Sequence, residues 1–519
     1  MCGRMVHESP KDEDSEMGRI ILYRAEGIPE AVFGVARMCM RLLVAFAAFT
    51  TTSCGGPELS PNIVLISLDT VRADQLTPYG YARDTSPALA ALAAEGALFS
   101  QSYSQAPNTV PSHASMLTGR YPFEHGMYVH GDSLRPSEQT LAEILGQHGY
   151  HTFALASSLR FHDKSGYDQG FDIYETFYDD PKNERATLIN QRALALAKES
   201  DEKPFFAFLH YFGAHGPYAA PTPYREMWHP GLDRPTPENS VTFMTTFRNP
   251  PRPLDLETVE YLRALYDGGV RHQDDALASL FAALRENPNG RPTLIVVTSD
   301  HGEGFKEHGV LMHSRYLYEE LVRVPMVFWW PGKVEEGMTV DHPSQSVDLL
   351  PTILELAGLP LAVSSSGRSF AGVLTGETNQ PTRVEDPLND YVVLEARPSW
   401  ALVGTVNEGR FKFVAGRGGG LFRLDAEGVA DEDVDVSARY PKVARHFRDL
   451  ATSRGLATPH RSWMIAHILA KEQALPVLPK PRARVQRSPE EQEMLDRLRS
   501  LGYIEEADGG LGELPSDSP

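Results

Sequence analysis

The stretch that decides the fold is Asn62-Ile-Val-Leu-Ile-Ser-Leu-Asp69, a continuous apolar run closed by a carboxylate. Continuous rather than alternating apolarity suits a strand covered on both faces, as in a parallel α/β sheet. The pattern recurs at Thr293-Leu-Ile-Val-Val-Thr-Ser-Asp300, and related runs cover Phe205–Phe212 and Val324–Trp330. Helical stretches are predicted over Ser86–Glu95, Thr140–His148, Thr187–Glu199 and Glu257–Glu286. Strands alternating with helices predict an open, doubly wound sheet, whose ligands gather at the carboxyl ends of the strands.

Asp69 and Asp300 both fall at such ends. Either alone reads as a helix-capping aspartate. Two of them, one followed directly by His301, read as parts of one metal site. A third piece is Asn108-Thr109-Val110-Pro111-Ser112-His113, running on to Gly119-Arg120. Pro111 suits the first turn of a helix and Gly119 its end. Thr109 would then stand at a helix N-terminus, where backbone N–H groups and the dipole favour an anion. A hydroxyl there, beside a cation, can be deprotonated and attack a tetrahedral anion.

The rest of the composition excludes other chemistries. The 519 residues carry 69 acidic against 49 basic side chains, a net charge of −20, which argues against a nucleic-acid surface. The 3 cysteines, Cys2, Cys39 and Cys54, all precede residue 55, so a disulfide scaffold, cysteine-bound zinc or a cysteine nucleophile is excluded from the body. Arg37 and Arg41 flank an apolar run, Leu42–Phe49, too short for a membrane helix of ~20 residues but fit for a signal-peptide core. It ends at Thr51-Thr52-Ser53-Cys54, which resembles a lipoprotein cleavage site. Residues 38–54 are therefore read as a signal peptide with a lipidated Cys54. Residues 1–37 are read as an over-extended start, with Met38 or Met40 the native one. The expected location is the periplasm or outer membrane, with membrane contact through the lipid alone.

With these pieces in place, the chain resembles the sulfatase family of the alkaline phosphatase superfamily. The matching segments are Asn62–Gly80, Thr109–Gly126, Thr298–Gly309 (TSDHGEGFKEHG), Leu317–Pro325 and Ser346–Gly358. The resemblance implies an alkaline-phosphatase-like α/β fold, a mixed sheet flanked by helices, over residues 61–380. A small C-terminal α+β subdomain over 381–455 follows, then a tail over 456–519 with a helix near 488–503.

The departures bear on mechanism. Sulfatases typically place Cys or Ser at the Thr109 position, converted to formylglycine, with Arg where His113 stands. Thr is not a substrate for that maturation, so no formylglycine is expected. The paired Asp-Asp of calcium-dependent members is Asp69-Thr70. The Lys usual before Tyr-Glu is missing, with His313 or Arg315 nearby. The remaining set, Asp69, Thr109, Asp300 and His301, resembles the single-metal site of Thr-dependent superfamily members. Calcium prefers all-oxygen coordination, whereas a site with an imidazole suits zinc or manganese. His113, His215 and His313 fall in segments that border the family's site, and each is a candidate to contact ligand oxygens or protonate a leaving group. His130 and His308 are weaker candidates of the same kind.

Three functions compete. The first is a metal-dependent hydrolase of anionic sulfate or phosphate esters that uses Thr109 as nucleophile. The second is a phosphodiesterase or phosphotransferase acting on envelope lipids or glycans. The third is an inert lipoprotein that binds anionic glycans.

Overall fold

A computed structural model describes residues 59–456, except 130, 163–164, 230–238, 248–252, 362–364, 383–390, 397–398, 407–408, 417–418, 426–428 and 454–455. The expected signal segment, Cys54, His130 and the helix near 488–503 lie outside the described residues.

The central sheet contains β1 (Asn62–Leu68), β2 (Ala97–Phe99), β3 (His151–Ala156), β4 (Ile173–Thr176), β5 (Phe205–Tyr211), β6 (Thr293–Ser299), β7 (Met326–Trp329) and β8 (Met338–Val340). Their order across the sheet is β8-β2-β7-β6-β1-β5-β3-β4. Strands β6, β1, β5, β3 and β4 run parallel to one another, and β7 turns the sheet mixed by pairing antiparallel with β6 and β2. The continuous apolarity of β1 has its expected cause. Val64, Ile66 and Leu68 face one core, shared with Ile189 and Leu196 of α4 (Arg185–Glu199) and Leu277 and Phe281 of α5 (Leu256–Arg285). Ile63 and Leu65 face another, shared with α2 (Thr109–Thr118), α3 (Leu141–Gln147) and α6 (Leu349–Leu356). A further helix, α1 (Pro87–Ala94), packs on the first side through Leu89 and Leu92.

A second sheet is formed by β9 (Tyr391–Ala396), β10 (Ser399–Val406), β11 (Gly409–Ala415) and β12 (Gly420–Arg423), paired antiparallel in sequence order. One face buries Val392, Leu394, Ala401 and Val403 against Leu317, Leu321 and Val322 of the main body. The other is covered by α7 (Pro441–Ser453) through Val443 and Phe447. Where the bodies meet, fully buried Lys412 lies 2.7 Å from Glu319 Oε1 and 2.8 Å from Glu432 Oε1. A lone buried ammonium would be costly, and these carboxylates compensate it.

Register positions the site. Leu68 pairs with Tyr211 on one side and Ser299 on the other, so Asp69 and Asp300 leave adjacent strands at the same level. The loop after Asp300 is pinned where the Gly302 N–H donates to the Leu321 carbonyl at 2.9 Å. A Cβ on Gly302 would overlap the Glu320 carbonyl oxygen. Gly302→Ala is therefore expected to destabilise the protein by about 1–3 kcal/mol, the usual cost of overpacking, read as a lower urea midpoint.

Candidate active site

Asp69 and Asp300 are both fully buried. Asp300 Oδ1 accepts from the backbone N–H of His301 (2.9 Å) and of Thr70 (3.1 Å). Thr70 adopts φ 63° to aim its N–H this way, a strained choice for a β-branched residue. Asp300 Oδ2 and both carboxylate oxygens of Asp69 have no hydrogen-bond partner, although His210 Nε2 stands 3.2 Å from Asp69 Oδ2. Burial pushes the Asp69 carboxyl up to about 6, opposed by the charges of His301, Lys182 and Arg160. Burial raises Asp300 as well, and the neighbouring Asp69 charge adds to it.

His301 donates from Nδ1 to the Gly302 carbonyl at 2.9 Å, which leaves its Nε2 lone pair directed into the site. That nitrogen lies 3.3 Å from Asp300 Oδ2 and 3.3 Å from Thr109 Oγ1. Thr109 is the first residue of α2, capped by the Asn108 side chain, which accepts from the Val110 N–H at 3.3 Å. Ligand atoms of Asp69, Asp300 and His301 all lie within 4.8 Å of one another. Three carboxylate oxygens with no hydrogen-bond partner and one imidazole lone pair, converging on one point in the interior, are a donor set that fits a divalent cation.

The candidate histidines separate by environment. His113 sits within α2, where its Nδ1 donates to the Thr109 carbonyl and its Nε2 accepts from Ser67 Oγ, each at 2.9 Å. Phe161, Phe208 and His210 pack edge-on around its ring, and burial pushes it down to about 3, so it is a neutral neighbour 3.8 Å from Asp300. With both nitrogens engaged it is not placed to donate a proton to a leaving group. His215 stacks on Phe212 with ring centres 4.3 Å apart; burial, then the Lys182 charge, hold it well below the ordinary histidine range. His313 packs on His301 (4.3 Å) and edge-on to His215 (5.1 Å). His308 belongs to a different cluster, 2.9 Å from Glu320 and stacked on Tyr318, with Glu432 nearby.

Four site residues were missed by sequence reasoning. His210 pairs in register with Ser67, one residue before the end of β5. Glu303, fully buried, accepts from His313 Nδ1 at 2.9 Å. Lys182 donates to the carbonyls of His215 and, at 2.7 Å, Pro217. Burial and the Arg185 charge push it down to about 7, while Asp69 and Glu303 hold it up. Buried Arg160 also acts on Asp69. Segments elsewhere in the chain thus bring two basic groups whose charges act on Asp69. The Asp-His-Gly-Glu run made Glu303 visible without assigning it a role; Lys182, in a turn, and Arg160, in the short 3-10 helix Leu159–Phe161, carry no local signal.

A buried carboxylate pair and an imidazole at the carboxyl ends of parallel strands, with a hydroxyl at a helix N-terminus beside them, is an arrangement that suits an alkaline-phosphatase-like ester hydrolase. The comparisons agree with that class. Residues 61–359 match the family described as Sulfatase, and residues 306–414 match the C-terminal region of N-sulphoglucosamine sulphohydrolase. The chain belongs to the sulfatase family and is a sulfuric-ester-hydrolase-type enzyme. It is 23% identical over 432 residues to the delta 4,5-hexuronate-2-O-sulfatase of Bacteroides thetaiotaomicron, covering 75% of this chain and 88% of that one. It is 28% identical over 346 residues to the ulvan-active sulfatase of Formosa agariphila, covering 60% of this chain and 65% of that one. The fold is similar to the phosphonate monoester hydrolase of Silicibacter pomeroyi, with TM-score 0.61 and 23% identity over 77% of this chain and 96% of that one.

Asp300→Asn keeps an oxygen for the two amides while removing one buried charge. In chelator it is expected to melt above wild type, and to gain nothing from added zinc or manganese that raises the wild-type melting temperature. Because folding favours protonated Asp69, the metal-free wild type should lose stability as pH rises from the ordinary carboxylate range through about 6. Apparent metal affinity should fall as pH drops below about 6, where protons compete for the same oxygens.

Proposed function

We propose that this protein hydrolyses anionic sulfate or phosphate esters through a covalent ester on Thr109. The observation that carries this reading is the Thr109 hydroxyl, first in its helix and donating to His301 Nε2 at 3.3 Å on the rim of the buried carboxylate pair. Asp69, Thr109, Asp300 and His301 would hold one divalent ion, with the imidazole favouring zinc or manganese over calcium. When bound, such an ion supplies charge that polarises the ester and lowers the pKa of a coordinated hydroxyl. The helix N-terminus directs amides at the anion, and Lys182 and Arg160 add positive charge near it.

Sulfate esters are favoured by the family and by the names of the relatives. The nucleophile favours phosphate or phosphonate. A formylglycine hydrate can expel sulfate by collapsing, whereas a threonine ester must be attacked by a second nucleophile. We also propose that Arg41, Leu42–Phe49 and Cys54 direct export and lipid anchoring; among the described residues no helix is long and apolar enough to cross a membrane.

Thr109→Ala should lower turnover by at least about 10³-fold, since removing a nucleophile removes the step itself, while Asp69, Asp300 and His301 still take up metal with at most weakened affinity. In the resting enzyme, peptide mass spectrometry should find Thr109 unmodified. On 4-nitrophenyl substrates, phosphate or phosphonate esters should outpace the sulfate. Faster turnover of the sulfate would leave the plain sulfatase reading in place, and no turnover by the metal-loaded enzyme would favour the inert glycan-binding protein. Cys54→Ser should release the protein from membranes, and intact mass that retains residues 1–53 would refute anchoring.

A further inference from the structure

A threonine ester differs from a formylglycine ester in having no second hydroxyl on the same carbon. Collapse cannot release the acid group, so the intermediate must be opened by water, and that water needs a base. Among the described residues, one imidazole at the site is held by a carboxylate in the manner this requires. Glu303 accepts from His313 Nδ1 at 2.9 Å and is fully buried. The pairing is built into the chain path. Gly304 and Phe305 form an antiparallel ladder with Met312 and Leu311, which places Glu303 opposite His313 at the next register position. Met312 and Ser314, on either side of His313, hold φ values of 65° and 118°, so the backbone is strained to present this ring. The ring lies 4.3 Å from His301, whose Nε2 contacts Thr109 Oγ1.

We propose that Glu303 and His313 form the acid–base pair that opens the covalent ester on Thr109. Glu303 is the positioning residue: by accepting from Nδ1 it fixes the tautomer that presents Nε2 as the base, and it stabilises the imidazolium once formed. The step balances as follows. A water oxygen bonds to the phosphorus or sulfur of the ester, and its proton passes to His313 Nε2. The bond from that atom to Thr109 Oγ1 breaks, the electron pair returns to Oγ1, a solvent proton restores the Thr109 hydroxyl, and His313 returns its own proton to solvent. In the first half-reaction the same protonated ring can serve the departing alcohol. His308 has such a pairing with Glu320 but belongs to a different cluster, and among the described residues the other candidate histidines at the site are held differently. Both nitrogens of His113 are engaged, and His215 gives its Nδ1 to a backbone carbonyl beside the Lys182 charge. His210 faces Asp69 instead.

This inference rests on Thr109 being the nucleophile, and one experiment separates the two. Metal-loaded wild type, Glu303→Gln and His313→Asn are mixed with a 4-nitrophenyl ester, whose leaving group needs no proton, then quenched with acid and mapped by peptide mass. Unchanged metal content and melting temperature serve as the control for folding, and either variant alone carries the test. Both variants should release a stoichiometric burst of 4-nitrophenol, then turn over about 10²-fold or more slowly, with the phosphoryl or sulfuryl group trapped on Thr109. Glu303→Asp should recover part of the rate. Label on Thr109 that clears as fast in the variants as in wild type would overturn the proposal and leave the nucleophile standing. A wild type that labels while the variants show no burst would overturn it as well, assigning the pair to the first step. Label on another residue, or turnover with no label in any form, would overturn both.

Discussion

Two carboxylates, Asp69 and Asp300, end neighbouring parallel strands with no solvent to separate their charges, and the site is organised around that constraint. Like charges at close range in a protein interior are expensive unless something compensates them. Asp300 is met by two backbone amides, one of which requires Thr70 to hold a left-handed conformation. Asp69 has no hydrogen bond of this kind and relies on nearby positive charge. The same imbalance that costs folding energy suits the cluster to a divalent cation, a common compromise between stability and function.

The imidazoles around this pair do different work because their partners differ. His113, walled in by aromatic rings and bonded at both nitrogens, is a neutral spacer behind Asp300. His301, with Nδ1 fixed on a carbonyl, offers its other nitrogen to the site. His313 donates from its Nδ1 to a buried carboxylate outside the pair, Glu303. The loop that carries it is clamped between the main sheet and the C-terminal sheet, where Lys412 bridges Glu319 and Glu432. The small subdomain thereby supports the site without contributing a ligand to the Asp69, Asp300 and His301 cluster.

Membership of the sulfatase family and the identity of residue 109 pull the chemistry in different directions. The family fold supplies the carboxylate pair and the helix N-terminus, both suited to any tetrahedral oxyanion. The nucleophile determines how the intermediate is resolved. On the proposed reading a threonine ester would shift the burden to acid–base groups, and the charges of Lys182 and Arg160, brought in from other segments, act on Asp69.

The sequence by itself marked four strands of the central sheet, placed four of its helices to within a residue or two, and pointed to Asp69, Thr109, Asp300 and His301, which the fold brings close together. A strand buried on both faces must be apolar throughout, so a carboxylate at its end stands out, and the start of α2 is marked by its own local chemistry. Only the tertiary structure decided which imidazole meets which partner. His113 and His313 look alike as letters, and what separates them is a helix carbonyl and a serine in one case, and Glu303 across a short ladder in the other. Lys182 illustrates the limit most clearly. Its ammonium matters because the chain returns it to the carbonyls of His215 and Pro217, and through-space electrostatics between distant segments leave no periodicity to read in the sequence.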